Sequence, residues 1–144
     1  MMLARPEMVL AALAAGGEGA TYSPVQVQKL FFLIDRRAPH LVNGPHFAFR
    51  PYDYGPFDSA VYDTLDFLGY RGSVQIQGAG KYRLYSLTAG GFAAGQGTLS
   101  NLPVPTAEFL RALARWVLSL DFKTLVAAIY EAYPDMKANS IFRE

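Results

Sequence analysis

One segment of this 144-residue chain alternates in the manner of a strand pair, and it follows a run of helical patterns. Ser73 to Leu87 places Val74 and Ile76 on one side. Tyr82, Leu84 and Ser86 then share a side, with Gly78-Ala79-Gly80 between the two runs. This reads as a β-hairpin with a glycine turn. Helices followed by a two-stranded wing define a winged-helix arrangement. The expected fold is therefore mostly α with a small β-hairpin (α+β), a winged-helix-like core and C-terminal helices.

The helices before the hairpin carry clear start and stop signals. Pro6 opens the first, which runs to about Ala15 and ends at Gly16-Gly17. Ser23-Pro24 is an N-cap followed by proline at the first helical position. Val27, Leu30, Phe31 and Ile34 then recur at i, i+3, i+4 and i+7, with Gln26, Lys29, Arg36 and Arg37 read as the outward side. Residues 38–46 form a loop, and Tyr54-Gly55-Pro56 a turn. The third helix is capped by Asp58 or Ser59, places Val61, Leu65 and Leu68 on its core face, and closes at Gly69.

Beyond the hairpin, residues 88–105 begin as a short helix and become rich in glycine and proline. Two more helices follow. One spans about Thr106 to Leu120, with Phe109, Leu113, Trp116 and Leu120 as its stripe. The other is capped by Asp121 and lined by Leu125, Val126, Ile129, Tyr130 and Tyr133. The domain reading is a core over 5–91, a linker over 92–105 and a helical extension over 106–144. The apolar groups of the tail, Met136, Ile141 and Phe142, either fold back on the core or meet a partner.

Composition restricts function. Hydrophobic residues make up 51% and aromatics 14%, enough for a real core. A net charge of +1 gives no global attraction to nucleic acid or membrane. With no cysteine there is no disulfide or thiol chemistry. The apolar run Met8 to Ala15 is short for a signal peptide and follows Pro6-Glu7, so the expectation is a cytoplasmic protein. His40 and His46 sit in one loop with no nucleophile-elbow pattern, and Gly78-Ala79-Gly80 lacks the Gly-Lys-Ser/Thr of a phosphate loop. No enzyme, catalytic residue, metal site or cofactor is expected.

"SPVQVQKLFFL" (Ser23 to Leu33) and "YDYGPFDSAVYDTLDFLGYRG" (Tyr52 to Gly72) together resemble the SocA-like antitoxin domain, also called the Panacea domain. Gln28-Lys29-Leu30, Tyr52, Gly55-Pro56, Val61-Tyr62 and Gly69-Tyr70 occupy the places of its motifs. Phe57 after the Gly-Pro departs from the pattern. The resemblance implies a toxin–antitoxin role: a protein that neutralises a toxin or an adaptor that presents it to a protease.

The third helix argues for the same class of partner. Its outer side holds Ser59, Asp63, Asp66, Phe67 and Tyr70, with Tyr62 to one side. A duplex is bound through Lys and Arg that displace counterions, and two aspartates oppose that. Aromatics beside acids suit a protein interface. Tyr62, Asp63, Asp66, Phe67 and Tyr70 are therefore the expected partner-binding residues, with a toxin-like protein as partner. The alternative is a winged-helix DNA-binding regulator using Arg36, Arg37, Lys81 and Arg83. A third reading is a homodimeric module. The stretch Pro51 to Pro56 has two readings, a fixed turn on which tyrosines pack or, with Asp53, the lining of a pocket. Arg50 is expected to stack on Tyr52 or Tyr54.

Overall fold

The computed structural model describes residues 2–143. Helix α1 (Arg5–Ala14) leads through a short strand β1 (Thr21–Tyr22) to α2 (Pro24–Arg37). A hairpin of β2 (Arg50–Tyr52) and β3 (Gly55–Phe57) precedes α3 (Ser59–Tyr70). Strands β4 (Val74–Gln77) and β5 (Leu84–Leu87) follow, then α4 (Ala89–Asn101), α5 (Val104–Leu118) and α6 (Phe122–Ala132). The chain is mostly helical with a small antiparallel sheet in the order β1-β5-β4. The expected hairpin is present, with Val74 opposite Leu87 and Gln77 opposite Leu84. Strand β1, not foreseen, adds to its second strand through Thr21–Ser86 and Tyr22–Tyr85. Among the described residues no helix is long and apolar enough to cross a membrane.

The second helix starts where its sequence says it should. Ser23 Oγ accepts from Gln26 N–H at 3.1 Å, and Gln26 Oε1 accepts from Ser23 N–H at 2.9 Å, a reciprocal cap. From there Val27 to Asp35 is buried without a break. This helix has no solvated side over those turns, because α3 and β3, α5 and α6 all pack against it. The reading of Lys29 as outward is thereby corrected: it is 3% exposed.

The glycine-rich segment is also corrected. Residues 92–101 of the expected linker belong to α4, whose Thr88 N-cap accepts from Gly91 N–H at 3.0 Å. Gly91 and Gly95 serve close approach rather than flexibility. A Cβ on Gly95 would lie 2.4 Å from the Leu10 carbonyl oxygen, and one on Gly91 would lie 1.9 Å from that of Ser73. Helix α4 therefore rests directly on α1, whose own face there is built from alanines. The region expected as an extension shares the same core, since Leu110, Ala114, Val117, Leu125 and Ile129 join one cluster with Met8, Leu30 and Leu65. On α5 the buried stripe is Thr106, Leu110, Leu113, Ala114 and Val117, with Trp116 40% exposed. The core face of α5 is therefore rotated from the expected stripe, with Leu110 and Val117 facing the core in place of Trp116.

The tail folds back. Met136 and Phe142 are buried, Ile141 N–H donates to Asp53 O at 2.9 Å, and Asn139 Nδ2 donates to Pro51 O at 3.2 Å. It supports the β2–β3 hairpin from the side of α6.

Candidate functional site

Most of the residues that carried the resemblance meet at one joint between α2, the β2–β3 hairpin and the start of α3; Gly69 and Tyr70 stand apart at the far end of α3, with Tyr70 exposed. Gln28 holds the backbone of Asp58 at both ends: its Nε2 donates to Asp58 O and its Oε1 accepts from Asp58 N–H, each at 3.0 Å. Asp58 in turn caps α3, accepting from Ala60 N–H at 2.9 Å, and ties Ala48 N–H at 2.8 Å. Lys29 Nζ donates to Pro56 O at 3.2 Å. Pro51 stands opposite Pro56 in the hairpin and has no N–H to offer. Gly55 passes over the lysine with φ +104°; a Cβ there would sit 3.3 Å from the Tyr130 ring and 3.5 Å from Lys29 Cε. Position 55 therefore asks for glycine on conformation and on space.

Among the described residues no carboxylate pairs with Lys29. Burial lowers its pKa from the usual lysine range to about 7. Above it, Tyr62 stacks parallel to Tyr85 at 6.3 Å and meets Phe57 edge-on at 5.7 Å. Burial, with Tyr85 adding to it, raises the Tyr62 phenol to about 12. Arg83 Nη1 donates to Tyr85 Oη at 3.2 Å. A second aromatic row runs from Tyr54 through Phe122 to Phe142, at 5.0 and 6.0 Å. Between the rows lies a cleft of about 700 Å³, rimmed by Lys81 and Arg83. A smaller cavity of about 170 Å³ adjoins it, sharing Val25, Tyr54 and Tyr62 as walls and reaching Lys29. Both readings of Pro51 to Pro56 apply: the turn is fixed, and it lines a pocket.

The expected partner surface divides in two. Asp63, Asp66, Phe67 and Tyr70 are exposed on α3, Phe67 by 47% and Tyr70 by 94%. Arg71 lies over the Phe67 ring at 5.5 Å. Tyr62 leaves that group and faces the cleft. The cations of the DNA alternative are not brought together. Lys81 and Arg83 sit beside the N-terminus of α2, with Ser23 and Pro24. Arg36 lies twelve residues beyond Pro24, about 18 Å along the helix at its usual rise. It pairs with Asp135 at 3.2 Å and stacks on Tyr133 at 5.0 Å. Arg50 does not stack as expected; it borders a surface hollow with Pro51, Tyr52 and Phe57.

Two polar residues escaped the sequence reading. Lys29 was visible as i+4 from Val25 and i−4 from Leu33, a position continuous with apolar ones. Asp35 takes the N–H groups of His46 and Phe47 at 2.8–3.0 Å and so anchors the loop after α2. Burial pushes its carboxyl upward, against those two donors. No protein-family model, curated protein or solved structure matches this chain.

Proposed function

We propose that the chain is a protein-binding module of antitoxin type, acting in the cytoplasm. It masks a toxin, or presents it, through the outer face of α3. The observation that carries the reading is the pair Phe67 and Tyr70, one turn apart, exposed, and flanked by Asp63 and Asp66. Exposed aromatics cost solvation unless a partner covers them, and aromatics are the usual anchors of protein interfaces. The two aspartates favour a basic protein surface and oppose a duplex. The SocA-like reading gains support from the meeting of Gln28, Lys29, Gly55, Pro56, Val61 and Tyr62 near one joint, since separate short motifs then serve one purpose.

The test is affinity capture from the native host with mass spectrometry, alongside recovery of nucleic acid. The expected outcome is a stoichiometric protein lost on Phe67→Ala and on Asp63→Lys. That protein should arrest growth when expressed alone and be relieved by this chain. Recovery of DNA without a protein, with binding that weakens steeply with salt and depends on Lys81 and Arg83, would replace the reading by a regulator.

A further inference from the structure

Lys29 has a place in the fold that the α3 surface does not use. Its ammonium carries three N–H donors. One goes to Pro56 O, and among the described residues no carboxylate lies within 4 Å of it. A buried cation normally has a partner, and one without it is costly to keep. This one reaches a cavity of about 170 Å³ rather than close-packed core. Asp53, Tyr52, Tyr54 and Tyr62 are the other titratable groups around that cavity. Asp53 is the only carboxylate among them, and it forms no ion pair with the lysine. The outer cleft has the volume of a small-ligand site, with apolar rings on both sides and Lys81 and Arg83 at its rim.

We propose that this site binds a carboxylate carried on a flat apolar body. The carboxylate oxygens accept from Lys29 Nζ in the inner cavity, and the body lies between Tyr54 and Tyr62 in the outer cleft. A single buried ammonium balances one negative charge, which favours a carboxylate over a phosphate dianion. The rim cations draw the anion in. The rings on either side accept a planar group, as aromatic pairs do. The carboxylate belongs either to a free small acid or to the C-terminus of a peptide ending in an aromatic residue. The site lies apart from Phe67 and Tyr70, so it stands or falls independently of the partner surface.

The experiment titrates the full chain at pH 6.5, by calorimetry and by amide chemical shifts. The probes are 3-phenylpropionate and N-acetyl-phenylalanine, each against its neutral amide. Binding by the first alone points to a free acid; binding by the second, tightened in a longer peptide, points to a chain terminus. Either acid should bind roughly 10–100-fold more tightly than its amide. Lys29→Met should remove that preference while Phe67→Ala keeps it. Affinity for the acid should fall as pH rises above about 7, where free Lys29 loses its proton. Lys29→Met must first be shown folded by its unfolding curve; Lys81→Ala, at an exposed position of the rim, should slow association and weaken binding. Equal binding of acid and amide, no saturable binding of either acid at millimolar concentration, or an unchanged preference in folded Lys29→Met would overturn the proposal.

Discussion

Replacing Lys29 by methionine should stabilise the protein below neutral pH and destabilise it in alkali. The lysine pKa falls from 10.5 in the unfolded chain to about 7 in the fold. At 1.36 kcal/mol per unit, that difference costs the folded state about 5 kcal/mol while both states are protonated. The full cost applies below pH 7. Between pH 7 and 10.5 the unfolded chain keeps a proton that the folded chain has lost. Stability then rises by about 1.4 kcal/mol per pH unit until the cost has gone. Methionine fills a similar volume and carries no such slope, but it leaves Pro56 O without its donor, a loss of about 1–3 kcal/mol. The variant should thus gain about 2–4 kcal/mol over the parent at pH 6 and lose about 1–3 kcal/mol near pH 10.5. Urea unfolding of both proteins at a series of pH values reads this directly, because groups common to both cancel in the difference. A difference that stays flat from pH 6 to 10.5 would refute the reasoning. It would mean that water in the cavity solvates the ammonium as bulk solvent does.

Gly95→Ala should destabilise by about 1–3 kcal/mol despite the better helix propensity of alanine, since the new Cβ meets the backbone of α1; denaturant midpoints check it. Gln28→Leu should cost about 1–3 kcal/mol and loosen the start of α3, because Asp58 N–H loses its partner and Asp58 C=O keeps only Val61 N–H; hydrogen exchange at Asp58 and Ala60 would rise. Arg36→Ala should change stability by less than about 1 kcal/mol, its pair with Asp135 being exposed; a larger loss by thermal unfolding would make the stacking of Arg36 on Phe32 and Tyr133 the stronger contact.

The elements that could be read in advance are those whose signals are local. Ser23-Pro24, Asp58 and Asp121 do cap helices, and Ser73 to Leu87 does pair across a glycine-containing turn. What failed needed knowledge of neighbours. Glycine loosens a chain in isolation, so residues 92–105 read as a linker. Packed against Leu10 and Ala14 of α1, Gly95 admits a second backbone and the helix becomes the better state. Lys29 read as solvated because charge normally is. Its burial follows only once α2 is known to be covered on every side, a fact hinted at by the unbroken apolar run Leu30 to Ile34 that follows it. Strand β1 is two residues long and could be recognised only by its pairing with β5.

These placements separate two things that the sequence presents together. Gln28, Lys29, Gly55 and Pro56 bind the hairpin to α2, and Tyr62 closes the cavity above them; none of these lies on the outer face of α3. Apart from Gly69 and Tyr70 at the end of α3, the residues that resemble the SocA-like domain therefore build a joint and a pocket. Asp63, Asp66 and Phe67 lie outside those motifs and can change without disturbing the joint, because their side chains meet solvent. A chain that kept the joint and exchanged that face would keep this fold, and under the proposed function it would change its partner. The joint and the face should accordingly respond to mutation in different assays. Changes at Gln28 should appear in unfolding curves, and changes at Phe67 only in binding.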